Sequence, residues 1–493
     1  MEGWVVVVAI SVAYLVASLA VGILPGKRAS GTAAGYVAGD RTLGLLVMYF
    51  ITGATIFSSF AFLGAPGWAY GRGAAAFYIL GYGTLGFLPF YFLGPRAARL
   101  GRRYGFVTQA EMVGARYGSR AIVGILAAIS VAAFIPYLAL QMKGAGYVLN
   151  AVTEDRLPEW AGAAVVYAVV LAYVLRSGVL GVGWTNTFQG IFMMGLAWGL
   201  GLYLPQRLYG GVEPMFRAIA AARDKHLVPP GLTSAGDPWS WGGYSSALIV
   251  SMIGFSVWPH LFMKAFTARD EATLRRTVVL YPTFQLFLVP LFLIGFAGVL
   301  FAGSPESNDQ ILPFMLMHME IPAVLVGLFC AGALAASMSS GDAMAHAAAS
   351  ILVRDGCVSA LRMPWDEHRQ RSVIRAAVVV VMVASYALAV TYRGDLVSLL
   401  LWAYGPVGQF APAVVATLYW HRATGAGVAC GLLAGAAVVT LGSAVPAWLP
   451  WPAVHPGVYG LLANVACLVG VSWATRDAGD PAYLRVAASR AES

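Results

Sequence analysis

Thirteen runs of mostly apolar residues, each long enough to cross a bilayer, follow one another along this 493-residue chain. A hydrocarbon core about 30 Å thick needs about 20 such residues per helix. The runs cover approximately 3–24, 44–65, 74–95, 121–150, 159–176, 184–205, 242–265, 277–303, 320–352, 372–392, 396–420, 424–444 and 453–474. Lipid offers backbone N–H and C=O groups no partner, so a spanning segment must satisfy them internally, and long continuous apolar runs do so as helices. Runs 121–150 and 320–352 exceed one bilayer and predict tilted helices. The expected fold class is an all-α integral membrane protein with about 13 transmembrane helices.

Composition excludes the soluble alternative. Apolar residues make up 59% of the chain and charged residues 11%, where soluble domains carry about a quarter charged residues. Mean hydropathy is +0.74. The formal charge of +9 raises the question of a nucleic-acid partner. Such a site needs its basic residues on one patch, whereas here they fall in short clusters between apolar runs. Cys330, Cys430 and Cys467 sit in apolar runs and Cys357 in a basic loop, with no spacing of a disulfide framework or a zinc site. The first run follows acidic Glu2 rather than a basic segment, so no cleavable signal is expected.

Basic residues also set the sidedness. Of 31 Lys and Arg, 23 fall after odd-numbered runs or in the C-terminal tail and 7 on the opposite side, with Lys143 inside a run. The N-terminus is therefore expected outside and the C-terminus in the cytoplasm, in a multi-pass protein of the inner (plasma) membrane. The largest loop, 206–241, is rich in Pro and Gly and reads as a cap over the outer face.

Two runs look broken. Residues 51–73, ITGATIFSSFAFLGAPGWAYGRG, hold Gly53, Ser58, Ser59, Gly64, Pro66 and Gly67; residues 251–264, SMIGFSVWPHLFMK, hold Gly254, Pro259 and His260. Backbone groups freed by Gly and Pro at membrane depth must line a cavity or be buried in protein. Interrupted helices at corresponding places in two halves point to a transporter's binding site; ordinary proline kinks would leave the same pattern. The ninth run crowds Ser337, Ser339, Ser340, Asp342 and His346 into one stretch. An intramembrane carboxylate is functional by default, His346 lies one turn from Asp342, and Lys143 is the other deep charge and the expected partner of Asp342.

These segments, with YLALQMKGAG, GWTNTFQG and WPHLFMKAFTARDEATLRRT, resemble the sodium/solute symporter family over essentially the whole chain and in order. The resemblance is greatest to its bacterial monocarboxylate permease branch. It implies a LeuT-like core of two inverted five-helix repeats, 42–205 and 242–420. Outside them would lie a first helix in 1–30, the loop 206–241, and two peripheral helices with a cytoplasmic tail in 421–493. It also implies sodium-driven secondary transport. The family's principal sodium site falls on the carbonyls of Ala54, Phe57 and Ala336 and the hydroxyls of Ser339 and Ser340. Some members have Asp at the position of Ile56, and many have Asp at that of Asn186, where it helps bind a second cation in some. Their absence favours one Na+ per cycle.

Ser58, Ser59, Gln141, Lys143, Ser251, Ser256, Trp258, Asp342, His346, Tyr404 and Gln409 are the expected substrate or coupling residues. Few polar side chains line such a cavity, which disfavours sugars. An ammonium and helix N-termini suit a small organic anion, a monocarboxylate. A proline-like amino acid and proton coupling through Asp342, His346 and Lys143 are the alternatives. No nucleic acid and no obligate protein partner is expected beside the solute and the bilayer. An enzyme is not expected, since no HExxH or GxSxG motif is present. A sensor is disfavoured by a tail of about 19 residues after the last run, and a passive channel would ignore every ion gradient.

Overall fold

A computed structural model describes residues 3–25, 31–153, 155–319, 321–392, 404–476 and 480–489. Among them the chain is helical, with two isolated β-bridges, Leu43 to Ala268 and Leu232 to Pro238. Eight helices are long and apolar enough to cross a membrane, and two bent helix pairs add to them. The first helix, α1, is Gly3–Ile23. The first bent pair runs from α2, Leu45–Ile56, through a π-turn at Phe60–Gly64 into α3, Ala65–Arg72. Next come α4, Arg120–Val152, and α5, Glu159–Tyr209. The second bent pair begins with α6, Trp241–Val257, and is followed by α7, Glu271–Gln285. Then come α8, Ala323–Ile351, α9, Glu367–Thr391, α10, Gly425–Ala444, and α11, Pro456–Ala474. The expected span 396–420 begins outside the described residues.

Helix α5 joins two of the expected runs. Its 51 residues would be about 77 Å long if straight, more than twice the bilayer core. It reverses at Gly178, whose φ of 55° and ψ of −142° leave the helical region. A methyl built on Gly22 would lie 2.7 Å from Tyr173 Cβ and 2.9 Å from Thr185 Cγ2, so the two halves lie side by side. Only glycine fits the corner, because a Cβ on Gly178 would stand 2.5 Å from the Tyr36 carbonyl oxygen.

Helix α8 sits at the centre. Every residue from Phe329 to Ile351 is buried, as expected of a helix without a polar face. Its run of Ala, Ser and Gly lets α1, α2, α4, α5 and α9 approach closely. The large apolar side chains left exposed, such as Phe92, Val380, Leu462 and Trp473, lie on the outside of the helices, where a lipid environment satisfies them.

Both breaks fall where the sequence placed them. The first pair bends by 61° and the second by 47°. At the first, Phe57 leaves the helix with ψ of 69°, and the Ser58 N–H turns back to the Ile56 carbonyl. At the second, Trp258 precedes Pro259, and the proline ring excludes the helical region for the residue before it. Trp258 accordingly has ψ of 126°, and Pro259 opens a new short helix, Pro259–Phe262.

The ends of the two bent segments are tied together. The Leu43 N–H donates to Thr267 O and the Arg269 N–H to Leu43 O, while the Arg41 guanidinium donates to the carbonyls of Phe266, Gly101 and Phe106. Asp270 caps α7, and the Thr273 N–H it accepts holds its carboxyl below the usual range. The expected cap loop contains a helix, Val212–Ala222, and Leu232 pairs with Arg72 in both directions: Arg72 Nε donates to Leu232 O, and the Leu232 N–H to Arg72 O.

Candidate functional site

Helices α2 and α8 meet at the first break. Ser339 Oγ is 2.9 Å from Ala54 O and 3.2 Å from Ala336 O, and Ser340 Oγ is 2.7 Å from Thr55 O. Ala54, Ala336, Ser339 and Ser340 are fully buried and Phe57 is 2% exposed. Carbonyls at the last turn of a helix carry partial negative charge. With neutral hydroxyl oxygens beside them, they form a set that suits a hard monovalent cation. Four of the five residues expected there are brought together. The serine hydroxyls reach the carbonyls of Ala54 and Thr55 rather than that of Phe57, which stands just beyond the helix end.

One turn further along α8, Asp342 is fully buried. It accepts from Tyr173 Oη at 2.8 Å, Thr185 Oγ1 at 3.0 Å and Asn186 Nδ2 at 3.1 Å. Asn186 Oδ1 in turn accepts from Thr55 Oγ1 at 3.0 Å. The carboxylate is thus joined through one amide to the end of α2, next to the serine pair.

The expected pairing of Lys143 with Asp342 is corrected by this arrangement. The acid's oxygens are taken up by α5, and Lys143 Nζ donates instead to Tyr392 O at 2.9 Å, between the rings of Tyr147 and Tyr392. His346 does not reach Asp342 either; its ring nitrogen lies 3.0 Å from Tyr36 O. Lys264, which the sequence reading did not single out, is 4% exposed at the second break.

A second group of polar atoms faces the two breaks. Gln141 Oε1 accepts from the Ser59 N–H at 2.8 Å. Gln141 Nε2, Ser58 Oγ, Ser59 Oγ and Trp258 Nε1 are buried without a hydrogen-bond partner among the described residues. The Tyr137 hydroxyl lies beside Ser58, and the Tyr137 ring is 5.4 Å from that of Trp258. Tyr404 packs on Trp258 at 5.2 Å, and Tyr82 on Tyr404 at 6.3 Å. Buried polar groups are almost always paired, so unsatisfied hydrogen-bonding groups around helix breaks mark a place that a polar solute or water fills.

Three expected residues stand apart. Gln409 is held by Asn464 Nδ2, which donates to its backbone oxygen at 2.8 Å, and it faces Gly435 and Gly460 of α10 and α11. Ser256 bonds back to Ile253 O within α6. Ser251 pairs with the Tyr78 hydroxyl at 2.5 Å, beyond Tyr82. The sequence reading missed Tyr137, Tyr173, Thr185 and Lys264; the inward-facing tyrosines of α4 and α5, near polar residues, were the available signal.

The sodium:solute symporter family model matches residues 36–435. An uncharacterized symporter of Bacillus subtilis, YhjB, is 28% identical over 94% of this chain and 96% of its own length. The sodium/pantothenate symporter of Escherichia coli is 24% identical over 94% and 96%. A monocarboxylate transport permease protein of Rhizobium johnstonii is 25% identical over 88% and 89%. Among solved structures, a Na+-coupled sialic acid symporter in a substrate-bound outward-open state superposes with a TM-score of 0.81 at 20% identity, over 96% of this chain and 98% of that one. That superposition establishes a LeuT-like fold.

Proposed function

Because the chain belongs to the sodium:solute symporter family, we propose that it carries a small monocarboxylate into the cell together with one sodium ion. Membership makes it a multi-pass membrane transporter that couples solute to sodium, and not an enzyme. The solute class rests on one observation: the unpartnered hydroxyl, amide and indole groups of Ser58, Ser59, Gln141 and Trp258. Each can donate a hydrogen bond, and an anionic oxygen is the acceptor that binds such donors most strongly. Aromatic walls from Tyr137, Trp258 and Tyr404 suit a short carbon chain. Pantothenate and monocarboxylates, the solutes in the names of two relatives, share one carboxylate group.

Sodium would sit between Ala54 O, Ala336 O, Ser339 Oγ and Ser340 Oγ, with the Phe57 carbonyl joining as α2 and α8 adjust. Filling that site draws α2 onto α8 and orders the break that presents Ser58 and Ser59. Asn186, committed to Asp342 and Thr55, supports a single coupling ion. The basic clusters favour a cytoplasmic C-terminus.

Competition against uptake of labelled lactate by proteoliposomes tests the solute class. Short monocarboxylates should compete and neutral sugars should not. Competition by sugars or by proline, without competition by propionate or pyruvate, would refute the assignment.

A further inference from the structure

Below the second break lies a small enclosed chamber that neither the sodium site nor the solute cavity uses. His260, Met263, Lys264 and Thr267 line it from the bent segment, and His346 with its neighbours lines it from α8. Its walls are otherwise apolar, and its free space is that of about one water molecule. Lys264 is 4% exposed, and its ammonium makes no hydrogen bond or ion pair among the described residues. His260 is 4% exposed with Nδ1 unpartnered, and its ring is pinned between Phe134 and Trp258, each 5.5 Å away. His346 keeps one ring nitrogen on Tyr36 O. Thr267 Oγ1 is turned away, to Lys264 O and Met48 Sδ.

We propose that Lys264 and His260 form a binding site for one small anion, with His346 packed beside it as part of the wall. An ammonium has three donors and no acceptor, and a buried charge without a hydrogen-bonded counter-group is strongly disfavoured. Asp342 supplies an opposing field but no ligand atom: its oxygens are engaged by Tyr173, Thr185 and Asn186, and it does not line the chamber. The ammonium repels a sodium ion. Chloride is somewhat larger than water, so the chamber opens slightly to admit it, and N–H donors are the groups that coordinate it. The same donors would hold a carboxylate oxygen if the chamber widened during the transport cycle. Bound there, an anion would fasten the bent segment to α8, two elements that also frame the sodium and solute sites. The inference does not depend on which solute is carried.

The test uses the full-length purified protein and compares its thermal unfolding midpoint in sodium chloride, bromide, formate and gluconate at equal sodium. Saturable stabilisation by chloride and bromide, absent in gluconate, is expected. Formate matching the halides would identify carboxylate as an accepted source, and formate behaving as gluconate would restrict the site to halides. Lys264→Gln should weaken the saturation about 10- to 150-fold, and His260→Gln, which leaves the ammonium in place, about 2- to 12-fold. A bromide anomalous-scattering peak beside Lys264 in the wild-type crystal provides a readout independent of how the variants fold. Equal midpoints in all four salts, or chloride saturation unchanged in Lys264→Gln, would overturn the proposal and leave the chamber to water.

Discussion

Ser339 and Ser340 are consecutive and point about 100° apart on a helix, yet both hydroxyls reach carbonyls at the end of α2. They can do so because α2 stops there and leaves two successive carbonyls, Ala54 and Thr55, without helical partners. Replacing either serine with alanine removes one oxygen from the proposed cation site. By analogy with a lost hydrogen bond to a charged group, that costs about 1.5–3 kcal/mol. The sodium concentration for half-maximal uptake should rise about 10- to 150-fold, with solute affinity at saturating sodium much less changed. Asp342 is read differently from the sequence and from the structure. Deep charges were expected to pair, but the acid's three partners come from α5, 156 to 169 residues away in sequence, and only the fold brings them near. A double-mutant cycle on purified protein should therefore show additive stability losses for Lys143→Met with Asp342→Asn. Asn186→Ala with Asp342→Asn should show coupling of about 0.5–3 kcal/mol. Coupling in the first pair and additivity in the second would reverse the assignment.

Elements differ in how plainly the sequence announces them. The two bends were legible because Gly, Ser and Pro interrupt apolar runs, and proline acts locally on the residue before it. The contact of Ser339 and Ser340 with the end of α2 was legible because motifs on α2 and α8 keep their spacing. Lys264 was not: it follows an apolar stretch and precedes a charged loop, and it is buried only because the short helix after Pro259 turns inward. The fold-back at Gly178 was legible as a gap between two runs, though the positive φ that turns it was not. Gly178→Ala should be damaging, since a left-handed φ costs roughly 1–2 kcal/mol for a residue with a Cβ and the added methyl meets the Tyr36 carbonyl. The expected outcome is a lower unfolding midpoint and reduced yield of monodisperse protein. A Gly178→Ala protein as stable as wild type would show that the corner tolerates a side chain.

The whole molecule gathers the proposed cation site and solute cavity around one broken helix, α2, and the buried stretch of α8 from Phe329 to Ile351. The sidedness proposed from the basic loops predicts that a cysteine at Ala235, in a protein lacking its four native cysteines, is labelled by an impermeant maleimide from outside intact cells. A cysteine at Ser489 should need permeabilisation; the reverse labelling would invert the topology. Sodium coupling through the α2–α8 contact is the central claim, and accumulation of labelled lactate in proteoliposomes tests it most directly when sodium and proton gradients are imposed separately. Wild-type protein should concentrate the solute under an inward sodium gradient alone, with a sodium dependence displaced in Ser339→Ala and Ser340→Ala. Accumulation that follows the proton gradient and ignores sodium, or a sodium dependence unchanged in both serine variants, would contradict it.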